Sequence, residues 1–159
     1  MAVRTWAPRG QTPLLRVKLT RDHLSAISGI TPDGRLFMQV RPGSYDTAAV
    51  VGFLRVLLRN ISGKIILIWD GSPIHRGHEI KDFLKRGAAK RLHLEQLPGY
   101  APDLNPDEGI WNYLKRVEVG TVCCTDLDDL HRQLLRAKER LRHKREIIRS
   151  CSRQYGYLV

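Results

Sequence analysis

The sequence has few cysteines, few aromatic residues and no long apolar run, and each shortage excludes a class of protein. Only three of the 159 residues are cysteines, and Cys123 and Cys124 are adjacent. So few cysteines exclude a disulfide framework, and adjacent cysteines lack the spacing that a tetrahedral zinc site needs. The longest apolar run, Ile65–Trp69, is too short to cross a bilayer, and no apolar stretch follows the first residues. The sequence therefore predicts a cytoplasmic protein without a signal peptide or a membrane span.

Acidic residues are scarce relative to basic ones. The chain has 27 Lys+Arg against 16 Asp+Glu, a formal net charge of +11. A hydrophobic content of 42% is enough for a packed core, so the surplus charge belongs to a folded domain. Such a surface attracts polyanions, and the lack of an acylation signal or a basic amphipathic anchor favours nucleic acid over a membrane. The length predicts one domain.

The first third of the chain has the residue pattern of antiparallel strands. Extended segments are predicted at 14–19, 23–30 and 35–41. The last two flank the sequence TPDG at 31–34, whose proline and Asp-Gly pair favour the turn of a hairpin.

Helices and strands alternate in the rest of the chain. Residues 46–59 have apolar positions at helical spacing, with Asp46 available as the N-cap. Residues 65–69 are apolar without alternation, which predicts a strand that is covered on both faces. Further helices are predicted at 76–86, 105–116 and 125–151, and a further strand is predicted at 92–97. The last helix has an apolar seam with nearly heptad spacing. The order of elements predicts an α/β fold, a mixed sheet with helices on both faces.

Asp70 stands where a catalytic residue is expected in such a fold. It directly follows the most apolar strand, and open α/β sheets bind ligands beyond the carboxyl ends of their strands. The sequence DGSP at 70–73 is also good turn chemistry, so a structural role is equally compatible with it. His75 follows five residues later and is more typical of a residue that supports a site than of a direct metal ligand.

Glu108 is the second candidate carboxylate. The sequence NPDE predicts a helix start, with Asn105 as the cap and Glu108 at the third helical position. A capping box would give Glu108 a structural role only. Capping does not explain the three prolines within residues 97–106, whose rigidity suits a side chain that must be aimed. Neighbours on a helix point about 100° apart, so we expect only one of Asp107 and Glu108 to face the site.

Both candidates lie in segments that resemble the motifs of a known family. The sequence LPGYAPDLNPDEGIWNYLK at 97–115 closely resembles the third-carboxylate motif of DDE transposases of the mariner type and their bacterial insertion-sequence relatives. The sequence IILIWDGSPIH at 65–75 resembles their second-carboxylate motif. WAPRG at 6–10 and PDGR at 32–35 are similar to the family's segment between its first and second carboxylates.

The resemblance selects Asp70 and Glu108 as the catalytic and metal-binding residues, with His75 and Asn105 in supporting positions. Three departures stand out. Gly71 and Ala101 occupy positions where the family usually has Asn and Ser, and Asp107 replaces an apolar residue. The motif position nevertheless assigns the site to Glu108 and not to Asp107.

The resemblance further implies a ribonuclease-H-like, retroviral-integrase-like fold and the chemistry of DNA transposition, in which DNA strands are cleaved and transferred. The cofactor would be Mg²⁺, with Mn²⁺ as a substitute, and three carboxylates would hold two ions that clamp the attacking and leaving oxygens.

The family's first carboxylate would precede Trp6. We therefore expect residues 1–159 to form a single, partial catalytic domain that lacks the first, central strand and the N-terminal DNA-binding region. Transposon ends, target DNA and further copies of the chain would be its partners.

Basic residues are concentrated towards the C-terminal end. Residues 132–153 contain nine Lys/Arg against two Glu, which is compatible with a solvated helix face or with a surface that follows DNA phosphates. The candidate DNA-binding residues are Lys115, Arg116, Arg136, Arg140 and Lys144. Two alternatives to a transposase enzyme stay open: a catalytically inactive relative that only binds DNA or pairs with transposase subunits, and a different ribonuclease-H-like nuclease.

Overall fold

The computed structural model describes residues 9–10, 23–99, 101–120, 122 and 124–157. The strand predicted at 14–19 lies outside these residues. In chain order the strands and α-helices are β1 Leu24–Ile30, β2 Leu36–Pro42, α1 Thr47–Asn60, β3 Ile65–Trp69, α2 His78–Lys85, β4 Leu92–Gln96, α3 Asp107–Tyr113, α4 Leu127–Arg142 and α5 Arg145–Gln154. Short 3₁₀ turns occupy Pro73–Arg76, Ala88–Lys90 and Pro102–Leu104, and a π-helical turn at Leu114–Glu118 extends α3.

The strands form two separate two-stranded sheets among the described residues. β1 and β2 make the predicted antiparallel hairpin, with Ile27 opposite Gln39. Its turn uses Gly34 at φ +80°, a conformation that favours glycine. β3 and β4 are parallel, with Leu67 level with Leu94. No hydrogen-bonded ladder joins the two sheets within the described part of the chain.

Helix α1 bridges the two sheets and forms most of the first hydrophobic core. Its N-cap is Asp46, as predicted, whose side chain accepts a hydrogen bond from the amide of Ala49. Buried residues of α1 pack with one residue each from β3, α2 and β4, and the members of this core are Val50, Val51, Phe53, Leu54, Leu57, Ile65, Ile80 and Leu92. Helix α1 therefore holds β3 and the hairpin at a fixed separation.

One face of β3 lacks the cover that the sequence predicts for it. Leu67 and Trp69 pack against the first core, whereas Ile66 is 70% exposed and Ile68 is 45% exposed. The prediction of a strand covered on both faces is therefore wrong for the described residues. The physical reason is that the helices of the C-terminal half pack against the hairpin and not against this face of β3.

The C-terminal helices form a second hydrophobic core against the opposite face of the hairpin. Its buried members are Met38, Ile110, Leu114, Ala137, Leu141, Ile148 and Cys151. The single helix predicted from 125 to 151 is wrong, because the chain turns at His143 and Lys144 and continues as α5. The turn lets the apolar residues of α4 and α5 enter the same core. No helix of the described residues is long and apolar enough to cross a membrane.

Gly109 permits the close contact between α3 and α5, and its replacement gives a test of this packing. A Cβ at Gly109 would lie 3.1 Å from the Cβ and Sγ of Cys151 and 3.3 Å from Tyr155. We expect Gly109→Ala to lower the free energy of unfolding by about 1 kcal/mol, because overpacking outweighs the gain in helix propensity. Gly52→Ala in α1 is the matched control, since nothing lies within 4 Å of its new Cβ, and it should stabilise by about 0.5 to 1 kcal/mol. Urea denaturation of both variants measures the difference, and equal effects would contradict the described packing.

Candidate active site

A cleft of about 420 Å³ is lined by both β1 and β3. Residues 26–30 form one wall and residues 66–69 the other, and Val50, Phe53 and Leu54 of α1 also line it. The start of α3 contributes to the cleft as well. All the carboxylates and supporting residues that the sequence selected line this one cleft: Asp70, His75, Asn105 and Glu108, together with Asp107.

Asp70 combines a turn with an available carboxylate oxygen. Its Oδ1 accepts a hydrogen bond from the amide of Ser72 at 2.9 Å and lies 3.0 Å from Nδ1 of His75. The side chain is 60% exposed, and Oδ2 has no hydrogen-bond partner among the described residues. Both interpretations of the DGSP sequence are therefore compatible with the structure, since one oxygen builds the turn and the other is free.

His75 is held in place beneath Asp70. Its ring stacks on Trp69, with a centroid separation of 4.5 Å and an interplanar angle of 3°, and its side chain is only 13% exposed. Its Nδ1 lies 3.2 Å from the backbone carbonyl oxygen of Asp70, which is its hydrogen-bond partner, and 3.0 Å from Oδ1 of the carboxylate. His75 therefore contacts both the backbone and the side chain of Asp70.

Asn105 and Glu108 start helix α3 in a way that leaves the Glu108 carboxylate free. The side chain of Asn105 accepts a hydrogen bond from the amide of Asp107 at 3.2 Å, and its backbone carbonyl accepts one from the amide of Glu108 at 3.0 Å. The capping box does not form, because the amide of Asn105 donates to the carbonyl of Pro102 and the Glu108 side chain has no hydrogen bond to a described residue. Glu108 is half-buried and lines the cleft.

Asp107 also lines the cleft, although the sequence led us to expect only one of the two neighbours there. Its Oδ2 accepts hydrogen bonds from the hydroxyl of Ser28 at 2.6 Å and from the indole N–H of Trp111 at 2.9 Å. Its Oδ1 is buried and has no partner among the described residues. Trp111 lies one helical turn after Asp107, and this spacing is the sequence signal that could have indicated the contact.

The three carboxylates are close enough to influence one another. Burial is the main cause that raises the pKa of Asp107 above its usual value. The hydrogen bonds from Ser28 and Trp111 oppose the shift, and the negative charges of Glu108 and Asp70 add to it. Concentrated negative charge of this kind attracts a cation.

Asp70 and Glu108 fit part of a divalent-metal site. Carboxylate oxygens suit Mg²⁺, and each of these side chains has an oxygen without a partner among the described residues. The described residues do not contain a group of three or more His, Cys, Asp or Glu side chains placed to hold a metal. Water, a phosphate oxygen or a further carboxylate would have to complete the coordination.

The candidate DNA-binding cations fall into two groups. Arg140 and Lys144 contact Glu118, at 2.6 and 2.7 Å, and the Glu118 side chain is only 4% exposed. Lys144 also donates to the hydroxyl of Tyr113. Local sequence spacing does not reveal this cluster, because the partners are 22 and 26 positions apart. Lys115, Arg116 and Arg136 are exposed and form no ion pair or side-chain hydrogen bond with the described residues.

Comparisons with known proteins identify the fold and the family. The chain is similar to the Mos1 strand transfer complex (14% identity, TM-score 0.52, 98% of this chain and 50% of that chain) and to the Mos1 mariner paired end complex with Mn (15%, 0.55, 98% and 51%). It is also similar to the catalytic domain of Mos1 mariner transposase (14%, 0.51, 91% and 85%). The chain spans about half the length of the first two structures. This likeness shows a ribonuclease-H-like fold.

The family follows from the sequence match and not from the structural likeness. No curated protein matches the chain. The model of the DDE superfamily endonuclease family matches residues 2–130, which is most of the chain. The chain therefore belongs to the DDE superfamily endonucleases.

Proposed function

We propose that the chain is the catalytic domain of a mariner-like transposase of a bacterial insertion sequence, which cleaves and transfers DNA strands with Mg²⁺ or Mn²⁺. The observation that carries the proposal is the position of Asp70 and Glu108. Both line one cleft, both have an unpartnered carboxylate oxygen among the described residues, and both lie in the family's motif segments. Residues 1–159 are proposed to form one domain, to which a third carboxylate is added by a strand outside the described residues.

The chain's own residues would bind and aim the reacting groups. Asp70 and Glu108 would hold the divalent ion, which when bound neutralises charge on a phosphodiester and lowers the pKa of an attacking water. His75 contacts one oxygen of Asp70, which leaves the other for the ion. Asn105 and the proline-rich loop fix the start of α3, so Glu108 enters the cleft from a constant position. Such supporting contacts keep ligands in productive geometry.

The proposed partners are DNA and further copies of the chain. The net charge of +11 supports attraction to DNA, and the similar solved structures include a paired end complex and a strand transfer complex. We propose that the chain acts on transposon ends and target DNA, as an oligomer, at the nucleoid of a bacterial cytoplasm. Membership of the DDE superfamily endonucleases supports the part of this proposal that concerns DNA as the substrate.

Nicking of supercoiled plasmid tests the proposed function directly. Because the third carboxylate belongs to a strand that would precede Trp6, the assay uses a transposase in which that strand is joined to residues 1–159. In Mg²⁺ or Mn²⁺ we expect it to convert supercoiled DNA to the open circular form, and EDTA should stop the reaction. A transposase of this kind that binds the plasmid but never nicks it would contradict the proposal. That result would favour the catalytically inactive relative instead.

The salt dependence of DNA binding tests the role of the exposed cations. Each cation that contacts a phosphate steepens the plot of log affinity against log salt by about 0.9. We expect replacement of Lys115, Arg116 and Arg136 by Gln to flatten the slope by about 2 to 3, because these side chains have no protein partner among the described residues. Replacement of Arg132, Arg142 and Arg149 by Gln is the matched control, because these three side chains pair with Asp129, Glu139 and Glu146, and it should flatten the slope less. Fluorescence anisotropy with a labelled duplex measures both, and an unchanged slope in the triple variant would remove these residues from the DNA surface.

A further inference from the structure

The basic run near the C-terminal end is largely neutralised by the protein itself. Of the nine Lys/Arg in residues 132–153, seven form ion pairs within the described part of the chain, and Arg136 and Arg145 form none there. A cation that already contacts a carboxylate must release or share it in order to contact a phosphate. The run is therefore a weaker DNA surface than its composition indicates.

A second set of cations lies on α1 and α2 and is not neutralised. Its five exposed members, which we call the α1–α2 surface, are Arg55, Arg59, Lys81, Lys85 and Arg86. None of them forms an ion pair or a side-chain hydrogen bond with a described residue. Helix α1 contains no acidic residue, and α2 contains only Glu79, which contacts His78, and Asp82. The exposed Lys64 and Lys90 extend the positive charge beyond the ends of the helices.

Helices α1 and α2 lie side by side and run in the same direction. At their starts, a Cβ at Gly77, the N-cap of α2, would collide with the side chain of Thr47, the first residue of α1. In the middle, the guanidinium of Arg55 lies 5.6 Å from the centroid of the Phe83 ring. Beyond the end of α2, the side chain of Arg91 donates to backbone carbonyls at the end of α1. The cations of both helices are therefore held on one packed pair.

The α1–α2 surface starts next to the proposed catalytic segment. Gly77 comes two residues after His75, so both helices begin beside the turn that holds Asp70 and lead away from it. Helix α1 has 14 residues, and at 1.5 Å per residue it is about 21 Å long. About six base pairs of duplex DNA have the same length, at 3.4 Å per base pair.

The chemistry of this surface fits a nucleic-acid backbone better than a membrane. A helix that lies in a membrane interface puts an apolar face into the lipid. The apolar faces of α1 and α2 are instead packed in the first core, where Leu54 and Ile80 are buried, and neither helix has a large exposed apolar side chain. Phosphates along DNA provide regular negative charge that exposed lysines and arginines contact without needing a pocket.

We propose that the α1–α2 surface binds the phosphate backbone of duplex DNA over about six base pairs beside the catalytic segment. The binding is independent of sequence and of metal, since only charge on the backbone is contacted. The proposal rests on the proposed function for the position of the catalytic segment. It also places the main unpaired cations on helices other than those in which the sequence concentrates its charge.

Lysine acetylation followed by mass spectrometry tests the surface without any substitution. The full chain is acetylated in EDTA, alone, with polyglutamate, and with a duplex of about 20 base pairs, which is about 70 Å long. With the duplex at about ten times its Kd, we expect Lys81 and Lys85 to react up to about tenfold more slowly, because few chains remain free. Lys138, which contacts Glu139 on α4, is the control and should react at an unchanged rate.

The salt dependence of affinity gives a second measurement. Replacement of all five cations of the α1–α2 surface by Gln should flatten the plot of log affinity against log salt by about 4 to 5. The matched control removes the same charge from ion-paired residues, by replacing Arg132, Lys138, Arg142, Arg149 and Arg153 with Gln. It should flatten the plot by less than about 2. Circular dichroism checks that both variants are folded, and the acetylation result decides if the first is not.

Three outcomes would overturn the proposal. These are unchanged reactivity of Lys81 and Lys85 with the duplex, equal flattening by the two variants, and protection by polyglutamate that matches protection by the duplex. The second would mean that net charge and not this surface determines binding, and the third that the surface accepts an acidic protein segment as readily as DNA. Nicking by the joined transposase is measured separately in metal. Nicking without protection of these lysines would remove only this inference, and protection without nicking would remove only the proposed function.

Discussion

Asp70→Asn is expected to slow plasmid nicking by at least about 10³-fold. The substitution keeps the size of the side chain and the Oδ1 that accepts from Ser72, but it removes the charge that the free oxygen would offer to a divalent ion. Metal-assisted charge neutralisation contributes several kcal/mol to such reactions, and each 1.36 kcal/mol is a factor of ten in rate. Glu108→Gln should have an effect of the same order, because the two carboxylates line the same cleft.

Matched controls separate this effect from a general loss of charge. Asp82→Asn in α2 and Asp103→Asn in the loop before α3 each remove one exposed acidic charge outside the cleft. Both should nick at the wild-type rate, within about twofold. If all four variants lost activity equally, or if Asp70→Asn remained active, the assignment of the site would be wrong.

Glu118→Gln is expected to destabilise the protein by about 1 to 2 kcal/mol. Glu118 is buried at the end of the π-helical turn and joins it to α4 and α5 through Arg140 and Lys144. Loss of one member of a fully buried ion pair costs 3 to 5 kcal/mol. The cost should be smaller here because Arg140 is 48% and Lys144 is 40% exposed, so water can solvate them. Glu139→Gln, which removes an exposed pair with Arg142, is the control and should stay within about 0.5 kcal/mol.

The pH dependence of stability gives a second test of the contact between Glu118 and its partners Arg140 and Lys144. Burial raises the pKa of Glu118, but the hydrogen bonds and charges of Lys144 and Arg140 outweigh it and leave the pKa below the usual 4.5. A lowered pKa in the folded state means that the contact stabilises the protein above about pH 4.5, and that this stabilisation is lost as the pH falls through the folded pKa. Urea denaturation between pH 3 and 7 should show a steeper acid loss for the wild type than for Glu118→Gln. Parallel curves would contradict this role.

Most elements of the fold could be predicted, because their sequence signals are local. The Pro-Asp-Gly turn and the cap at Asp46 both correspond to features of the structure. The break between α4 and α5 could not be predicted, because the apolar spacing continues across it. Just beyond the end of α4, Lys144 contacts Glu118, and the periodicity of apolar residues does not record such long-range contacts.

The candidate site was predictable in its members but not in its internal contacts. Motif resemblance selected Asp70 and Glu108, and the structure brings both to one cleft. The spacing alone could not show whether Glu108 forms a capping box. In the structure the amide of Asn105 donates to the carbonyl of Pro102, and the capping box does not form. The contact of Asp107 with Trp111 has helical spacing, whereas its contact with Ser28, 79 positions away, leaves no local signal in the sequence. Similarly, the exposure of Ile66 and Ile68 depends on which helices pack over β3, and the C-terminal helices pack on the hairpin instead.

Binding of Mn²⁺, followed by electron paramagnetic resonance, tests most directly whether Asp70 and Glu108 share a metal. We expect the wild-type chain to bind Mn²⁺ in competition with Mg²⁺, and we expect Asp70→Asn and Glu108→Gln each to abolish the same bound signal. Asp82→Asn and Asp103→Asn should retain it. The account would be contradicted if Asp70→Asn and Glu108→Gln both bound Mn²⁺ as the wild type does, or if each removed a different site.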